Sequence, residues 1–161
     1  MRKGIRVYAC PGFSVEFENK VKQLQGVLIE ADRHMGIDRD ISVTGEIPGE
    51  YKAAPMPEQA LMVQTAKGIT VITGCSHPGI VKMIQKVKTF FPQKTISLVF
   101  GGFHLKDQDR QAVQSVVASM KDMGVEKVGP THCTGSEAQM LFKNSYGDQY
   151  VEISAGKKFE I

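Results

Sequence analysis

From residue 59 onward, the apolar positions of this chain alternate between two rhythms. Short β-branched runs at 69–73, 95–100 and 125–128 are bounded by glycine, proline or lysine, and they predict strands. Between them, apolar residues recur at steps of three and four. Ile80, Ile84, Val87 and Phe91 form one stripe; Val113, Val116, Val117 and Met120 form another. That spacing predicts helices with one buried face. Pro92 and Gly124 stop these helices, and Asp107 or Asp109 can cap the second. A third helix is expected over 136–144. Such alternation predicts an α/β fold with parallel strands.

The first third is less regular. Residues 5–9 read as a strand ending at Cys10-Pro11-Gly12. Val21, Leu24, Leu28, Ala31 and Met35 lie on one helical stripe, which predicts a helix over 15–35 closed by Gly36. Residues 41–44 read as a strand. The polar stretch 45–57, punctuated by Pro48, Pro55 and Pro57, reads as an exposed excursion. Residues 59–65 and 69–73, joined by Ala66-Lys67-Gly68, predict a β-hairpin. The tail segments 149–153 and 157–161 are compatible with two short strands.

Composition narrows the function classes. A chain of 161 residues is long enough for a single domain over 1–161 with its own core. The net charge of +3 is small and its basic residues are scattered, so no nucleic-acid partner is expected. Lys82, Lys86 and Lys88 read as a solvated helix face, with an anion-attracting rim beside His77 as the alternative. No apolar run is long enough to span a membrane, and the first residues lack a signal-peptide core, so a cytoplasmic location without membrane partners is expected. Cys10, Cys75 and Cys133 do not form a disulfide framework. Cys75 and Cys133 each lie beside a histidine, where a thiol can be a ligand, a redox liability or a small buried apolar group.

The candidate chemistry lies at the strand ends. Three of the chain's four histidines follow a strand and a glycine and precede a helical pattern: His77, His104 and His132. Parallel strands would bring all three to one sheet edge, the edge where open α/β sheets bind ligands, and their rings could converge on a metal. Pro78 fits the first turn of the helix after His77. Gly101-Gly102 lacks the helix-opening context of a dinucleotide site. Ser76 and His77 are too close in sequence to face each other as a nucleophile and base. His34, at the end of an apolar stripe, reads as a cation suited to a helix carboxyl end.

Taken in order, Gly74-Cys75-Ser76-His77-Pro78-Gly79-Ile80, Gly101-Gly102-Phe103-His104-Leu105 and Thr131-His132-Cys133-Thr134-Gly135 resemble metallo-β-lactamase-fold hydrolases. The resemblance is strongest to the subgroup related to dihydropterin ribofuranosylaminobenzene phosphate synthase, which Thr44-Gly45-Glu46-Ile47-Pro48 also resembles. It implies an αββα sandwich and a site for one or two zinc ions. His77 and His132 match the family's metal histidines. His104 occupies the slot where many members place a bridging aspartate, and Asp107 follows three residues later. The family's first ligand cluster, His-x-His-x-Asp-His, has no counterpart here, so the chain resembles the family without its N-terminal part.

The resemblance therefore implies a metal-dependent hydrolase of a phosphate ester or a related small molecule. At most one zinc is expected on His77, His132 and His104, with weak or no turnover by the chain alone. The alternatives are a non-catalytic binding module and one half of a split enzyme. Strands left uncovered by the absent segment would expose apolar surface, so a homodimer, or a partner supplying that segment, is expected.

Overall fold

The computed structural model describes residues 3–161. Strand β1 (Arg6–Ala9) pairs in parallel with β2 (Val27–Glu30), and helix α1 (Val15–Gln23) lies between them in sequence. Ser14 caps α1, its Oγ accepting from the Phe17 N–H at 3.2 Å. The single helix expected over 15–35 does not form. Gln25 reverses the chain with φ +56°, and the Gly26 N–H returns to the Val21 carbonyl at 2.9 Å. Val27, Leu28 and Ile29 then pair with Arg6, Val7 and Tyr8. Val27 and Ile29 are β-branched and gain more from a strand partner than from a helix continued through Gly26.

The main sheet has six strands. Strands β3 (Met35–Asp38), β4 (Ile41–Val43), β7 (Leu61–Thr65) and β8 (Gly68–Thr73) pair antiparallel with one another in that order, which confirms the hairpin at 59–73. Strands β8, β9 (Ile96–Gly102) and β10 (Val128–Thr131) are parallel, and the spatial order is β10-β9-β8-β7-β4-β3. β10 begins at Val128 rather than Val125, which makes only one bridge, to Ile96. Pro130 is tolerated within β10 because this strand lies at the sheet edge.

Helices α2 (Ile80–Phe90), α3 (Arg110–Asp122) and α4 (Ser136–Tyr146) follow the three parallel strands. Met83 and Ile84 of α2, Val117 and Met120 of α3 and Phe142 of α4 close over Met62, Val71 and Val99 in one core. α2 starts at Ile80, so Pro78 belongs to the turn before the helix; there the Gly79 N–H reaches the Ser76 carbonyl at 2.9 Å. Asp109 caps α3, its Oδ1 accepting from Ala112 N–H at 2.8 Å.

The tail forms no strands. It packs as extended chain on β9 and β10: the Val151 N–H bonds the Val128 carbonyl at 2.8 Å, and Phe159 meets Phe100 edge-on at 5.4 Å between centroids. His34 stacks on Phe90 at 4.4 Å rather than ending a helix. The proline-punctuated stretch contains a small hairpin of β5 (Glu50–Tyr51) and β6 (Ala54–Pro55). Lys52 and Ala53 both turn with positive φ, +50° and +58°, as a tight two-residue hairpin requires. No helix among the described residues is long and apolar enough to cross a membrane.

Candidate metal centre

The three parallel strands end side by side, and the loop after each carries its histidine to the same sheet edge. Hydrogen bonds tie the loops together. The Gly102 N–H bonds the Gly74 carbonyl at 2.8 Å, and the Gly102 carbonyl accepts from Ser76 Oγ at 2.6 Å and Thr73 Oγ1 at 3.0 Å. The Phe103 N–H donates to Thr134 Oγ1 at 3.1 Å, and the Lys106 N–H to the Cys133 carbonyl at 3.2 Å. Each loop also holds one non-glycine residue in left-handed backbone: Ser76 (φ +64°), His104 (φ +52°) and His132 (φ +52°). Such conformations cost energy and persist where the surroundings enforce them, commonly at functional sites. Ser76 spends its hydroxyl on Gly102 and is buried, so it is a loop anchor and no nucleophile.

Glu58 organises the first loop. Its Oε2 accepts from the Ser76 N–H at 2.8 Å and its Oε1 from the His77 N–H at 3.0 Å, while Oε1 also pairs with His77 Nδ1. Both side chains are largely shielded, at 12% exposure for His77 and 14% for Glu58. A carboxylate on Nδ1 fixes the ring orientation and leaves Nε2 with the free lone pair, the arrangement that metal-ligating histidines use.

The His104 ring lies 4.5 Å from that of His77 between centroids. Burial, then the neighbouring His77, lowers the His104 pKa, which keeps its ring neutral and able to donate a lone pair. His104 Nδ1 is buried and has no hydrogen-bond partner among the described residues. Tyr51, from the small hairpin, tilts against His77 at 4.8 Å and meets His104 edge-on at 5.5 Å. The neutral His104 ring beside a His77 ring backed by a carboxylate fits a divalent ion.

His132 stands apart from this pair. Among the described residues, the one group whose ligand atoms all lie within 4.8 Å of one another is Cys75, His132 and Cys133. His77, His104 and His132 thus share an edge, while His132 clusters with the thiols. Cys133 Sγ donates to the Cys75 carbonyl at 3.4 Å. Burial, then Cys133, raises the Cys75 thiol from 9.0 to about 11. Beside His104, a cleft of about 210 Å³ is lined by Tyr51, Lys106, Asp107, Gln108 and Cys133. With Asp109 taking the cap, Asp107 is left to line this cleft.

Glu58 and Tyr51 were not legible as site residues in the sequence. Each is a lone polar side chain in or beside the proline-rich stretch, with no motif and no fixed spacing to a histidine. Only the return of that stretch across the sheet edge brings them to His77.

No family model matches the chain. Two curated proteins of Methanocaldococcus jannaschii are similar to it. One is 7,8-dihydropterin-6-methyl-4-(beta-D-ribofuranosyl)-aminobenzene-5'-phosphate synthase, 37% identical over 100 residues that make 62% of this chain and 34% of the relative. The other is an uncharacterized protein, 34% identical over 134 residues, 75% of this chain and 50% of the relative. The chain thus spans about a third to a half of the length of the curated relatives it matches.

Among solved structures, the isothiocyanate hydrolase from Delia radicum gut bacteria shares the fold alone, with TM-score 0.60 at 9% identity over 99% of this chain and 68% of that one. A metal-dependent hydrolase of the beta-lactamase superfamily superposes with TM-score 0.82 at 26% identity, covering 72% of its own length. That superposition runs along 99% of this chain, and the protein has the fold of the metallo-β-lactamase superfamily.

Proposed function

We propose that His77, His104 and His132 hold zinc, and that the site serves hydrolysis of a phosphate ester or a related small molecule. The observation that carries this reading is the Glu58-backed His77 lying against the neutral ring of His104 at the carboxyl edge of the sheet. The similar solved structure is described as a metal-dependent hydrolase, and the name of one curated relative contains a 5'-phosphate.

A bound divalent ion would polarise a phosphoryl or acyl oxygen and acidify water. The chain's own residues do the rest. Glu58 holds the His77 ring in one orientation, and Tyr51 covers the rings and limits the approach of solvent. Lys106, on the rim of the cleft, attracts an anionic substrate. Zinc calorimetry on the purified chain tests the reading, together with hydrolysis of p-nitrophenyl phosphate. Zinc binding should weaken on His77→Ala and on His132→Ala, with slow, zinc-dependent turnover at most. Unchanged zinc affinity in both variants would overturn it.

We also propose that the chain self-associates. Ile5, Phe13, Val15, Leu24 and Val27 are large apolar residues left exposed on or beside β1, α1 and β2. Exposed apolar side chains concentrated in these elements favour burial against a second copy. Light scattering should report about twice the 17.7 kDa chain mass at micromolar concentration, and a stable monomer would refute the association.

A further inference from the structure

We propose that Cys75 and Cys133 are metal ligands, and that with His132 they form a dithiolate–imidazole position for a thiophilic divalent ion, zinc above all, beside the His77–His104 pair. The three donor atoms come from two loops and lie within 4.8 Å of one another. In a tetrahedral zinc site, bonds of about 2.3 Å to sulfur and about 2.0–2.1 Å to nitrogen place donors about 3.3–3.8 Å apart. Closing that gap takes small side-chain rotations. His132 is exposed and Cys75 and Cys133 are half-buried, so all three have room to make them.

The thiols already face the same space, with Cys133 Sγ reaching the Cys75 carbonyl at 3.4 Å. The loop between them is built for this approach. A Cβ on Gly102 would stand 2.8 Å from Cys133 Sγ, 3.2 Å from Cys75 Cα and 2.5 Å from the Gly74 carbonyl oxygen. Only glycine leaves the space that lets the two cysteine loops meet. Three protein donors leave a fourth position open, as in zinc sites that bind water or a substrate atom. Thiolates also discriminate, because they favour zinc over magnesium, calcium or manganese. The two thiols therefore sharpen the preference for a soft divalent ion that the imidazole already has.

This inference shares His132 with the proposed hydrolase site but requires no turnover, and cobalt substitution separates the two. The full chain, reduced and loaded with Co²⁺, should show a sulfur-to-cobalt charge-transfer band in the near ultraviolet. The band should persist in His77→Ala and disappear in the Cys75→Ser/Cys133→Ser double variant. Absence of the band from the unsubstituted chain overturns the inference and leaves the histidine reading standing. A band present while zinc affinity is unchanged in His77→Ala but weakened in His132→Ala supports the dithiolate–imidazole position and removes the three-histidine reading, whereas zinc affinity unchanged in His132→Ala overturns the assignment of His132.

A second measurement needs no variant. Zinc should slow alkylation of Cys75 and Cys133 by iodoacetamide roughly tenfold, because a metal-bound thiolate is withheld from reaction. Cys10, buried and outside the cluster, should react at the same rate with or without zinc. Equal alkylation of Cys75 and Cys133 in both conditions overturns the assignment.

Discussion

Glu58→Ala should weaken zinc binding roughly 10–100-fold, the usual consequence of removing the partner that orients a ligating histidine. The same change should lower stability. Glu58 accepts from two backbone N–H groups, Ser76 at 2.8 Å and His77 at 3.0 Å, in a largely shielded loop. Leaving each donor without a partner costs about 1–3 kcal/mol, so a loss of about 2–4 kcal/mol is expected after partial rehydration. Urea denaturation and zinc calorimetry on one preparation check both effects. Glu58→Gln is the informative contrast, since its amide oxygen can still accept from the loop. It should recover part of the stability and less of the zinc affinity. A variant that loses stability but binds zinc as tightly as the parent would make Glu58 a loop anchor only.

Gly101→Val should be the most damaging substitution at the sheet edge. Gly101 has φ +127°, and a Cβ there would stand 2.3 Å from the Thr73 carbonyl oxygen and 2.6 Å from Thr73 Oγ1. These are atoms of β8, the strand paired with Gly101 in the sheet, so relief requires moving backbone. Combined with the left-handed strain on a β-branched residue, the cost should exceed about 4 kcal/mol. The protein should be largely unfolded or insoluble, as circular dichroism and soluble yield would show. Gly124→Ala separates the two causes. Gly124 has φ +75° but open space around its missing Cβ, so this change should cost only about 1 kcal/mol. Equal losses in the two variants would show that close approach at Gly101 contributes nothing.

The second half of the chain is largely legible in its sequence. Its strands are β-branched runs, its helices carry stripes at steps of three and four, and Pro92, Asp109 and Gly124 mark boundaries by local backbone chemistry. These are short-range signals, and a parallel sheet with crossover helices leaves little freedom in how they assemble. The placement of His77, His104 and His132 at one edge followed from the same logic. The stripe from Val21 to Met35 misled because apolar residues spaced for a helix also occur in a helix, a turn and two strands. Pairing of β2 with β1, about twenty residues away in sequence, decides between them, and no local propensity encodes it.

The sequence by itself determined the α/β alternation, the parallel strands and the histidine at the end of each, because periodicity, turn chemistry and strand composition act over a few residues. Tertiary structure decided which side chains meet there. Glu58 reaches His77 from nineteen positions away, and Cys133 reaches Cys75 across fifty-eight. Tyr51 arrives only because the Lys52-Ala53 turn folds its hairpin over the rings. Contacts of this kind depend on the packing of whole loops across the sheet edge, where close approach at Gly101 and Gly102 selects one arrangement.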